Sequence, residues 1–219
     1  PVRAPLTAFA LLERAAALGV SVVQYADNLP LHTLSSEERE RLRAIACEMG
    51  ITIEVGTRGI ALGNLRRYHD IACQLSSPIV RVVIDTAAHH PDYEEMLSTL
   101  RLLEPIFRSS GIVLAIENHD RFRASELRAL IEELGSWAGV CLDTVNSFGA
   151  LEGPEVVVNT LGPVTVNLHL KDFTIRRTNT QMGFIIEGCP AGQGRLDIPW
   201  LLCTLAKMGR DPNAIPELW

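Results

Sequence analysis

Glu117, Asp143, His169 and Glu217 each close a short apolar run: Ile112–Ile116, Val140–Leu142, Val164–Leu168 and Ala214–Pro216. The first three are evenly placed, with 26 residues from Glu117 to Asp143 and again from Asp143 to His169. A strand-plus-helix unit of a (β/α) barrel repeats on about that scale, because roughly 250 residues divide among eight units. In such a barrel the C-terminal strand ends converge, so carboxylates and an imidazole placed there meet in space. Three oxygen donors and one nitrogen donor make a site for a divalent cation. Mn²⁺ is the first choice, with Mg²⁺, Co²⁺ and Zn²⁺ also suited. No cysteine is expected in position, which argues against a thiolate zinc site. Cys141, two residues before Asp143, reads as core.

The neighbours of these four residues read as a pocket. Glu117-Asn118-His119-Asp120-Arg121 places five polar groups directly after an apolar run. Within it His119 could reach a substrate, whereas Asp120 and Arg121 could simply pair. After Asp143, Asn146 could point at substrate and Ser147 could cap a turn. His169 and Lys171 share a face if their strand continues, since residues i and i+2 of a strand point the same way. Lys171 beside a metal would stabilise a developing oxyanion, or it would pair with Asp172 or another carboxylate. Glu54 and Arg58 end a further apolar run; Arg58 could anchor a carboxylate or phosphate, or form a surface ion pair.

The elements that must position these groups alternate. Helices are predicted over Thr7–Leu18, from the capping-box sequence Ser35-Ser36-Glu37-Glu38 to Gly50, and over Leu62–Leu75. Others open at Pro91 and at a Ser125 cap, and further ones run from Pro154 to Thr160 and from Ile198 to Met208. Strands fall near residues 20, 51, 79, 112, 139, 164 and 214, with a long loop over 172–195 that covers the pocket mouth. Strict alternation implies a parallel α/β sheet. A chain that opens on a helix and closes on a strand fits a (β/α)8 TIM barrel lacking its first strand and last helix. An open doubly wound sheet would want a Gly-rich turn after the first strand, and no GxGxxG or GxxxxGK[ST] occurs.

One domain is expected over residues 1–219, since no linker or low-complexity tract interrupts the chain. A net charge of −6 disfavours a nucleic-acid partner. The apolar runs are strand-length, so no membrane span is expected. The sequence starts without a signal-peptide pattern, and its five cysteines lack CxxC spacing, which points to reduced thiols in the cytoplasm.

Glu117-Asn118-His119, Leu142-Asp143-Thr144-Val145-Asn146, Leu168-His169-Leu170-Lys171-Asp172, Gly192-Gln193-Gly194-Arg195-Leu196-Asp197 and Pro216-Glu217-Leu218-Trp219 together resemble the xylose isomerase-like TIM barrels. That superfamily includes sugar-phosphate isomerases and epimerases, ketose 3-epimerases, hydroxypyruvate isomerases, inosose dehydratases and endonuclease IV. The resemblance implies Glu117, Asp143, His169 and Glu217 as metal ligands, with Glu117 and Glu217 also flanking substrate as an acid/base pair. It implies a homo-oligomer and a small sugar or sugar acid as substrate. Where many ketose epimerases carry a His three residues after the metal-binding Asp, this chain has Asn146. Where they carry an Arg six residues after the metal-binding His, it has Ile175. The extra histidines of endonuclease IV are missing. Asp27-Asn28-Leu29-Pro30-Leu31, Gly56-Thr57-Arg58-Gly59 and the closing Glu-Leu-Trp also look like a subgroup that includes 3-oxo-isoapionate decarboxylases.

The resemblance therefore implies a metal-dependent isomerase or epimerase working through an enediolate. The alternative is a lyase on the same site, either a decarboxylase of a 3-oxo sugar acid or an inosose-type dehydratase. A non-catalytic sugar-binding barrel and an AP endonuclease stand behind both.

Overall fold

A computed structural model describes residues 5–218. Trp219 of the closing motif lies outside the described residues. They fall into two compact units. One runs up to Ile116 and takes in Leu134–Ala138; the other takes Glu117–Glu133 and the chain from Gly139 on.

In the first unit α1 (Ala8–Leu18), β1 (Val22–Tyr25), α2 (Ser36–Glu48), β2 (Thr52–Arg58), α3 (Leu62–Leu75) and β3 (Ile79–Val83) alternate as expected. Thr7 caps α1, and Gly19 ends it at a φ of 70°, the left-handed conformation glycine adopts without a Cβ clash. The capping box of α2 is present: the Ser35 hydroxyl accepts from the Glu38 amide, and the Glu38 carboxylate accepts from the Ser35 amide. After β3 come α4 (Tyr93–Arg101), α5 (Glu104–Ser110) and β4 (Val113–Glu117). β1, β2, β3 and β4 pair in that order, all parallel. Every residue of β3 is buried, as parallel strands covered on both faces require.

One expected helix is two. The Asp92 side chain, not Pro91, caps α4, and the helix stops at Arg101. Pro105 has no N–H to offer the Arg101 carbonyl, so the chain restarts as α5 with Pro105 in its first turn.

The second unit holds most of α6 (Ala124–Leu134), then β5 (Ala138–Asp143), α7 (Pro154–Leu161), β6 (Thr165–Leu170), β7 (Asp172–Arg177), β8 (Phe184–Cys189), α8 (Ile198–Lys207) and β9 (Asn213–Pro216). Ser125 is not the cap of α6. The helix has begun at Ala124, and the Glu126 carboxylate instead accepts the Arg123 amide. β5 pairs with β6 and β6 with β9, again parallel. β5 is buried throughout, and a Cβ on Gly139 would lie 2.6 Å from Val166 Cγ1, so only glycine fits there.

The expected loop over 172–195 is largely a hairpin. β7 and β8 pair antiparallel, from Asp172 opposite Cys189 to Arg177 opposite Phe184. The polar turn Thr178–Gly183 between them obscures the alternation in the sequence. Gln181 and Gly183 take the positive φ values that close it. One face of the ribbon carries Phe173, Ile175, Phe184 and Ile186 over an apolar cleft of about 730 Å³ with Phe148 and Trp200. Arg176 and Glu187, expected at a pocket mouth, pair across the strands at 2.9 Å. Among the described residues no helix is long and apolar enough to cross a membrane.

Candidate metal centre

Strand register brings the expected cluster together. Asp143 ends β5 opposite His169 on β6, and β6 in turn sets Leu170 opposite Pro216 of β9. The Glu217 amide donates to the Leu170 carbonyl at 3.1 Å, which fixes Glu217 one step beyond β9. His169 Nδ1 then lies 3.2 Å from Glu117 Oε2 and 3.4 Å from Glu217 Oε1. Lys171 Nζ lies 2.7 Å from Asp143 Oδ2 and 3.1 Å from Glu217 Oε2. Glu117, Asp143 and His169 are buried, whereas the Glu217 side chain is 33% exposed and forms the open side of the cluster.

The donors suit a divalent ion. Ligand atoms sharing one ion at about 2.0–2.2 Å must lie roughly 3–3.5 Å apart. The two distances at His169 Nδ1 meet that requirement. One ligand atom from each of Asp143, His169 and Glu217 lies within 4.8 Å of the others. A second trio, Glu117, Cys141 and His169, meets the same limit. This corrects the expectation that no cysteine stands in position. Cys141 and Asp143 share a strand face at i and i+2, so the core reading and the cluster are the same place.

Charge supports the same reading. Three carboxylates face one ammonium. Burial and the Glu117 carboxylate hold the Asp143 carboxyl above its usual range, against the pull of Lys171. Burial alone would lower the Lys171 ammonium, but Asp143, Glu217 and Glu117 outweigh it and raise it. Lys171 is therefore a fixed cation in the cluster, paired with Asp143 and Glu217 rather than with Asp172.

Neighbouring side chains hold these groups in place. Asp143 Oδ1 accepts from the amides of Val145 and Asn146 at 2.8 and 2.9 Å, which leaves Oδ2 for Lys171. Asn118 accepts from the Asp143 amide and donates to the Asp143 carbonyl and the Ser147 hydroxyl, fixing the end of β5. Thr144 does the same for Lys171, accepting from its amide at 2.9 Å and donating to its carbonyl at 2.7 Å. Asn146 donates to Glu117 Oε1 at 2.8 Å and accepts from Lys171 Nζ at 3.3 Å. Sequence reasoning misses Asn118 and Thr144, although each carries a signal: it directly follows a ligand at a strand end.

The remaining candidates each have partners of their own. His119 Nδ1 lies 3.0 Å from Asp120 Oδ2, and Arg121 stacks over the Phe122 ring. In the first unit Glu54 is buried and accepts from Gln24 at 3.0 Å. Arg58 is bound to the Asp27 carboxylate at 3.0 Å and to the Asp85 carbonyl at 3.1 Å.

A family model described as the xylose isomerase-like TIM barrel matches residues 12–219. The chain is 37% identical over 216 residues to a 3-oxo-isoapionate decarboxylase of Pectobacterium atrosepticum, covering 98% of this chain and 78% of that protein. A crystal structure of D-psicose 3-epimerase in the presence of D-fructose matches with a TM-score of 0.77 at 18% identity, over 95% of this chain and 78% of that one. A xylose isomerase-like TIM barrel protein from Mycobacterium smegmatis, in complex with magnesium, gives 0.76 at 15% identity, over 98% and 83%. At those identities the solved structures speak to fold alone, and the fold is the TIM barrel expected from the strand-end spacing.

Proposed function

Because this chain belongs to the xylose isomerase-like TIM barrel family, we propose that it is a divalent-metal-dependent lyase that decarboxylates a 3-oxo sugar acid. One observation carries the reading: a buried carboxylate–imidazole–ammonium cluster in a chain 37% identical to a decarboxylase of such an acid. Asp143, His169 and Glu217, with Glu117 beside them, would hold the ion, for which Mn²⁺ is our choice. When bound, the ion would supply Lewis acidity to the substrate's carbonyl.

The chain's own groups supply the rest. In a 3-oxo acid the C1–C2 bond breaks, CO₂ departs, and the electron pair moves through C2 to the C3 oxygen. The Lys171 ammonium, held between Asp143 and Glu217, offers fixed positive charge for that oxygen. Glu217, the most exposed carboxylate of the cluster, relays a proton from water to C2 and completes the exchange of CO₂ for H. Asn146 keeps the Glu117 carboxylate turned into the site.

Isomerisation or epimerisation is the second reading, favoured by one feature. Two carboxylates, Glu117 and Glu217, lie 3.2 and 3.4 Å from a single imidazole nitrogen, so one can remove a proton and the other return it. Incubation with Mn²⁺ in D₂O, over a panel of 3-oxo sugar acids and ketoses, separates the two. Release of CO₂ with one deuterium at the former C2 is expected. Deuterium gained without loss of mass would replace the lyase by an isomerase or epimerase, and no exchange with any member would leave a binding protein. Glu217→Gln is expected to abolish turnover in either case, and full activity in that variant would refute the assignment.

A further inference from the structure

We propose that Glu117, Cys141 and His169 form a second, deeper cation position selective for thiophilic ions such as Zn²⁺ and Co²⁺. The three residues come from successive strands of the cluster, and all are buried, at 2% exposure for Glu117 and 0% for the other two. Cys141 Sγ lies 4.0 Å from Glu117 Oε2, and Glu117 Oε2 lies 3.2 Å from His169 Nδ1. Zinc-type bonds of about 2.3 Å to sulfur and about 2.0–2.1 Å to oxygen and nitrogen put tetrahedral neighbours roughly 3.3–3.5 Å apart. The nitrogen–oxygen edge already has that length, and the sulfur–oxygen edge needs a contraction of about half an ångström.

The register of β5 on β6 explains why the thiol is there. Cys141 stands opposite Asn167 as Asp143 stands opposite His169, one layer deeper on the same face. The thiol donates to Asn167 Oδ1 at 3.3 Å, a contact it exchanges for the ion while its proton passes to solvent. Soft sulfur favours Zn²⁺ or Co²⁺, whereas the oxygen-rich trio of Asp143, His169 and Glu217 favours Mn²⁺ or Mg²⁺. His169 belongs to both trios, so the two positions fill in competition and thiophilic ions displace Mn²⁺. The competition rests on the metal-dependent reading above; binding at the deeper trio does not.

Chelator-stripped protein, with its accessible thiols first alkylated by iodoacetamide under native conditions, is titrated with Co²⁺ and followed by absorption. A thiolate-to-cobalt charge-transfer band in the near ultraviolet is expected. Cys141→Ser should lose that band and keep the weaker visible bands of cobalt on oxygen and nitrogen. Its Zn²⁺ affinity by calorimetry should fall about tenfold or more, with Mn²⁺ affinity changing less. Cys141→Ala serves if the serine variant fails to fold, and the alkylated wild type gives a reading without any variant. Visible bands without the near-ultraviolet band in wild type, or a band that survives in the variant, would overturn the deeper site and leave the metal-dependent enzyme standing. Absence of any cobalt binding would overturn both.

Discussion

Lys171 is the residue on which the electrostatics of the cluster turn. Its ammonium touches Asp143 and Glu217, and the Asp143 carboxyl sits above its ordinary range even so. Removing the cation leaves the buried Asp143 carboxylate facing the buried Glu117, with only the one-third-exposed Glu217 open to water. Breaking a buried ion pair from one side costs about 3–5 kcal/mol, most of it the uncompensated burial of the remaining charge. Lys171→Met should therefore lower the urea midpoint of the stripped protein by a corresponding amount. Added Mn²⁺ should recover part of that loss, because a divalent ion supplies the missing positive charge. A variant as stable as wild type without metal would show the pair to be dispensable. The site is legible from sequence at this scale because its members are strand-end acids and a histidine, types that are conspicuous after apolar runs. Cys141 is not, because a cysteine inside an apolar strand looks like core until the register sets it opposite Asn167.

The hairpin of β7 and β8 shows what the sequence hides. Its start is held by Asp172, a buried carboxylate that accepts the amides of Phe173, Gly192, Gly194 and Leu196. Burial pulls the Asp172 carboxyl up, but those four donors win and hold it below its ordinary value. The chain from 192 to 196 thereby wraps a side chain that directly follows Lys171. Nothing local in Gly-Gln-Gly-Arg-Leu announces this, since the partner is some twenty residues away. With a folded value below the unfolded one, Asp172 stabilises the protein fully above about pH 4 and loses that contribution as pH falls towards the folded value. Asp172→Asn should flatten the acid limb of stability against pH while lowering stability at neutral pH. An unchanged acid limb would remove Asp172 from the account. Gly194 tests the same wrap sterically. A Cβ there would meet the Asp172 carboxylate and lie 2.5 Å from the Phe173 carbonyl oxygen. Gly194→Ala should cost about 1–3 kcal/mol in denaturant unfolding, and a neutral result would mean the wrap is loose.

At the scale of the whole molecule, alternation of strand and helix implies parallel pairing, because a strand can pair parallel with its predecessor only after a crossover connection carries the chain back. Where structure and expectation part, a single chemical detail decides: Pro105 breaks a helix in two, and a polar turn disguises two paired strands. Packing leaves one charge imbalance in the cluster, three carboxylates against a single ammonium, and a divalent ion would offset it. A ligand that binds only the folded chain adds RT ln(1 + [L]/Kd), about 2.7 kcal/mol at a hundredfold excess over Kd. For a chain of this length each kcal/mol moves the melting temperature by about 2–4 °C, so saturating Mn²⁺ should raise it by roughly 5–10 °C. Glu217→Gln and His169→Ala should each shrink that rise, since both remove a donor from the trio with Asp143. Glu132→Gln, at an exposed carboxylate paired with Arg128 on α6, should leave the metal-dependent rise at its wild-type size whatever it does to baseline stability. Equal rises in all four proteins would mean that the ion binds somewhere other than this cluster.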